Sequence, residues 1–129
     1  MVIIKTYLVA FLVFLVIDLL WLGVVAKGFY FRHLEPFFAE KINWPAAFIF
    51  YFLFVAGVMI FAVMPAVEKQ SLQRAVVYGA LFGFFTYATY DLTNLATLRN
   101  WPIIIVIVDI LWGTVLCAAV AASGYLTAR

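Results

Sequence analysis

Three aspartates stand inside apolar runs: Asp18, Asp91 and Asp109. A carboxylate so placed can bind a cation, relay protons, act as a general acid or tie helices together. An acid at the bilayer centre costs about 2.5–3.5 kcal/mol on insertion scales. Three acids are therefore expected to turn from lipid into a shared interior. Each has aromatic or polar company at helical spacing. Trp21 lies three residues after Asp18, and Trp112 three after Asp109. Gly79, Gly83, Tyr87, Asp91 and Asn94 recur every three or four positions, which is one helical stripe. The spacing predicts a polar pocket with aromatic walls. Its candidate ligand-binding residues are Asp18, Trp21, Tyr51, Tyr87, Asp91, Asn94, Asp109 and Trp112. No Lys or Arg is expected at their depth, so at least one acid should hold a proton at neutral pH. Protonated, it donates a hydrogen bond; deprotonated, it needs a cation.

Positioning these residues falls to four apolar stretches, about 3–26, 45–66, 75–98 and 102–126. Each is long enough for a helix to cross a hydrocarbon core, which takes about 20 residues. Backbone amides in lipid must be satisfied within the segment, so helices are expected. Counted from the face that bears the long loop and Arg99, the three acids lie at one depth, about 10–12 Å down at 1.5 Å per residue. Tyr51 reaches a similar depth. The links 67–74 and 99–101 are short, which makes neighbouring helices antiparallel. The fold expected is all-α: a four-transmembrane-helix antiparallel bundle forming a single integral-membrane domain over 1–129. The segment from Lys27 to Asn43 mixes aromatics with charges and is expected along the interface. Val24-Val25-Ala26 before Lys27 has the look of a signal-peptidase site. The apolar run before it is too long, and Asp18 interrupts it, so a retained helix is expected. Asn43-Trp44-Pro45 and Asn100-Trp101-Pro102 open the second and fourth stretches alike. With the Asp18-Leu19 and Asp91-Leu92 echoes, they suggest a duplicated two-helix hairpin.

Composition agrees. Of 129 residues, 69% are hydrophobic and 11% charged, with mean hydropathy +1.18. A soluble domain carries roughly a quarter charged residues. A soluble globule, a nucleic-acid binder and a disordered chain are thereby excluded. Basic residues tie between the two faces: Lys5, Lys69, Arg74 and Arg129 against Lys27, Arg32, Lys41 and Arg99. Both termini are expected in the cytoplasm. Trp44 and Trp101 read as interfacial belt residues, His33 as a surface residue, and Cys117 as inert packing. Ala118, Ala119, Ala121 and Ala122 read as small residues available for close contact in a homo-oligomer. There is no zinc-type Cys/His cluster, no phosphate loop and no serine in a nucleophile elbow. Three aspartate oxygens leave a divalent cation's shell incomplete, so neither a metal nor another cofactor is expected.

Asp18-Leu-Leu-Trp-Leu-Gly, Tyr90-Asp-Leu-Thr-Asn-Leu-Ala-Thr-Leu-Arg-Asn-Trp-Pro and Asp109-Ile-Leu-Trp-Gly-Thr resemble a bacterial membrane family catalogued as domain of unknown function 2177. The resemblance covers nearly the whole chain. It implies a small four-helix protein of the inner membrane and supplies no activity, cofactor or catalytic residue. Function is therefore read from the pocket: binding or transport of a small cationic or amphipathic molecule, coupled to protons. The alternative is a lipid- or isoprenoid-modifying enzyme, in which a protonated Asp is the general acid and Trp21 and Trp112 stabilise a carbocation. A third reading is a structural subunit among membrane lipids. An enzyme is the less favoured class, and nucleic acid is not a partner.

Overall fold

A computed structural model describes residues 2–129, and among them every regular element is helical. Helix α1 is Val2–Val25, and its last stretch, Trp21–Val25, widens into a π turn. Helix α2 is Lys27–Leu34, followed by a 3-10 turn at Glu35–Phe37. Helix α3 is Trp44–Glu68, α4 is Leu72–Thr97 and α5 is Ile103–Ala128. Three helices, α1, α3 and α5, are long and apolar enough to cross a membrane. The remaining expected span coincides with α4. It has 26 residues, but its tyrosines, threonines, Asn94 and Asp91 leave it less apolar than the other three.

Local chemistry explains the helix ends. The Asn43 side chain caps α3 by accepting from the Ala46 amide at 3.2 Å, with Pro45 in the first turn. Ser71 caps α4 by accepting from the Arg74 amide at 3.1 Å. A second π turn, Met59–Val63, precedes Pro65 in α3. Proline lacks an amide hydrogen and crowds the carbonyl four residues back, so a widened turn there relieves the clash. The two Asn-Trp-Pro echoes fold differently. Asn100 is not a cap; it takes a left-handed backbone at φ 62°, a conformation asparagine tolerates, and turns the chain into α5. Trp44 is 57% exposed, as a belt residue should be, whereas Trp101 is 6% exposed. The belt reading of Trp101 is corrected: the tight turn at Asn100 folds its indole inward against Tyr30, Leu34 and Ile105.

Helix α5 is the hub. Its Leu116, Cys117 and Val120 pack in one cluster with Ala10 and Phe14 of α1 and with Val55, Val58 and Ala62 of α3. The closest pair is α4 with α5. A Cβ added to Gly79 would lie 2.6 Å from the Cys117 carbonyl oxygen, and one added to Gly83 would collide with the Gly113 carbonyl. The expectation that this glycine pair admits another helix is met, and α5 is that helix. Two of the alanines expected to remain available are used by the same contact. The position of Gly79 faces Ala121 and Ala118, and Ala121 is buried. By contrast α1 and α3 touch lightly. The α3 and α4 backbones run close only from Met59 onward. Nearer Trp44 they diverge and are bridged by rings such as Phe54 and Tyr87, 6.1 Å between centroids.

Candidate functional site

The end of α1 and the middle of α5 are joined through their tryptophans. Trp21 and Trp112 stack with centroids 4.2 Å apart and planes 8° from parallel. The indole N–H of Trp112 donates to Asp18 Oδ1 at 3.4 Å, a long bond. Trp21 sits at the start of the π turn, where helices commonly carry functional groups. Its indole N–H donates to the Tyr30 hydroxyl at 3.2 Å. That hydroxyl in turn donates to Asp109 Oδ1 at 2.9 Å. Tyr30 comes from α2, outside the spans, and is 8% exposed. Burial, and next the Asp109 carboxylate beside it, push its hydroxyl above the usual tyrosine value of 10. The phenol therefore remains a donor to Asp109 across the neutral range.

Asp91 is wholly buried, and neither of its oxygens accepts a hydrogen bond. Asp109 and the Trp101 indole lie beside it without completing one, and Trp101 Nε1 is likewise buried and unpartnered. Among the described residues no Lys or Arg pairs with any of the three acids.

A cavity of about 480 Å³ opens beside this network, with walls from α1, α3, α4 and α5. Asp18 lines it while only 7% exposed, and its Oδ2 accepts no hydrogen bond among the described residues. This oxygen is reachable from the cavity and has no protein donor, so it favours a donor or cation placed there. A second cavity of about 440 Å³ lies under α2 and takes in Lys27, Tyr30 and Trp101. The two share Leu22, Tyr90 and Asp109, so Asp109 stands at their junction.

Five of the eight sequence candidates line the larger cavity: Asp18, Tyr51, Tyr87, Asp109 and Trp112. Trp21 backs that wall by stacking on Trp112. Asp91 is sealed behind it next to Asp109. Asn94 lines neither cavity; it lies beside Tyr90, one turn further along α4. Tyr30, Tyr90, Phe50 and Phe54 escaped the sequence reading. A signal for Tyr30 was present. Tyr30 and Leu34 are four apart, and both are buried, so the segment read as interfacial carries a helix with an inward face.

The family model DUF2177, described as a predicted membrane protein, matches residues 3–126. No curated protein and no solved structure matches the chain.

Proposed function

The chain belongs to the DUF2177 family of predicted membrane proteins, and on that footing we propose that it binds, and by exchange with protons carries, a small cationic or amphipathic molecule at the acid layer. The carrying observation is the unpartnered oxygen of Asp18 at a cavity that Asp109 also lines, where no cationic side chain among the described residues pairs with either acid. Trp112, Tyr51 and Tyr87 add aromatic faces that attract a cation within about 6 Å of a ring centroid. The reading takes the chain as one domain, multi-pass in the bacterial inner membrane, with α4 as a fourth span. Supporting that, Thr86, Thr89 and Thr97 turn their hydroxyls back to the carbonyls of Phe82, Phe85 and Thr93 at 2.6–2.7 Å. Their polar groups are thus satisfied within the helix, as hydrocarbon requires. A bundle this thin is also proposed to pair with further copies.

Tetraphenylphosphonium serves as the probe in a test on protein reconstituted in phosphatidylcholine liposomes. Binding is expected to release protons to a pH dye, because the cation takes the place of a proton on the acids. Asp18→Asn and Asp109→Asn should each weaken binding at least about ten-fold, roughly one 1.4 kcal/mol interaction. Binding that both variants leave intact overturns the proposal. A lipid-modifying enzyme would instead alter the lipid composition of expressing cells in a way that Asp18→Asn abolishes, without cation-linked proton release.

A further inference from the structure

The larger cavity is graded from its inner end to its rim. Asp18 and Phe54, 7% and 9% exposed, lie deep, while Phe50 of α3 and Tyr90 of α4 are about half exposed. These two rim residues belong to the helices whose backbones diverge toward Trp44. With α4 taken as a fourth span, as proposed above, that gap opens to acyl chains rather than water. Resting on the cation reading above, we infer that the site takes a lipid-like amine, which enters sideways between α3 and α4 and leaves its chain in the bilayer. The ammonium head fits the acids, which pair with no Lys or Arg among the described residues, and it would lie against the Trp112 face. The first part of the chain lies along Phe54 and Phe50, and the rest passes between Phe50 and Tyr90. The cavity is too small and too open toward lipid to enclose a long chain whole, so chain length beyond the rim is not selected.

The test uses the protein in phosphatidylcholine nanodiscs, with the change in tryptophan emission as readout and Trp112→Phe to assign the share of the Trp21–Trp112 stack among the four tryptophans. Dodecylamine and octadecylamine are titrated as mole fractions of the bilayer, butylamine from water, and dodecanol serves as the uncharged control. The two long amines are expected to bind within about two-fold of one another, and dodecanol at least ten-fold more weakly. Asp18→Asn should weaken both amines at least ten-fold; Asp109→Asn, which keeps an acceptor for Tyr30, does the same if the first variant misfolds. A bulky aryl maleimide on Phe50→Cys should weaken both long amines at least ten-fold. Rejection of octadecylamine while dodecylamine or butylamine binds, or indifference to the label, overturns sideways entry and leaves the cation reading standing. If no amine responds to either aspartate variant, the cation reading itself falls.

Discussion

Tyr30 has two partners, and their loss would register differently. In Tyr30→Phe, Asp109 Oδ1 loses its donor and the Trp21 indole its acceptor. A buried polar group stripped of its partner costs about 1–3 kcal/mol. The variant is expected to be less stable by about that free energy, read as a lower unfolding temperature in detergent. The pH dependence follows from the raised value of the hydroxyl. Its contribution is full below the ordinary tyrosine value of 10 and is lost as pH climbs through the raised one. Wild type and variant should therefore converge in stability only in strongly alkaline solution; a gap that closes near neutrality contradicts the hydrogen bond. The inward turn of Asp18 and Asp91 was legible in the sequence, because a carboxylate inside an apolar run is costly to leave on an apolar surface; Asp109, read the same way, is only half-buried. Tyr30 was passed over, and Trp101 was read as a belt residue. A loop tyrosine and an Asn-Trp-Pro tryptophan carry no such penalty; the spacing of Tyr30 and Leu34 is a weak signal beside it, and the backbone geometry at Ala26 and Asn100 turns both rings inward.

Helix lengths were readable to within a few residues, since span length is set by the thickness of the hydrocarbon. The π turns were not foreseen, although Pro65 gave a reason for one of them. Nor was the inequality of the helix pairs. Small residues at fixed spacing point to a close approach without naming the partner, and here the partner is the helix's own neighbour, α5. The Gly83–Gly113 crossing yields a further expectation. A methyl at position 83 meets backbone, which cannot rotate away as a side chain could. Gly83→Ala should therefore cost about 1–3 kcal/mol through overpacking. Gly57→Ala meets only the Phe82 ring tip and should cost less. Thermal unfolding in a common detergent checks the order; equal midpoints would mean that α4 and α5 are not pressed together at Gly83.

At the scale of the molecule, the four-span reading predicts a topology. The turn at Ser71 and the link at Asn100 should label from opposite sides of the membrane with an impermeant thiol reagent, as Ser71→Cys and Asn100→Cys. Labelling of both from one side would leave α4 out of the bilayer. The sealing of Asp91 has a consequence for how such a chain is made. Its carboxyl is hidden in the packing of α4 on α5, and a ribosome completes α4 before α5 exists. During that interval the acid has nothing to shield it. On the four-span reading, the insertion machinery would therefore have to hold the first of the two helices at its exit until the second arrives, and release them to lipid as a pair. A nascent chain halted before Ile103 should leave α4 unintegrated.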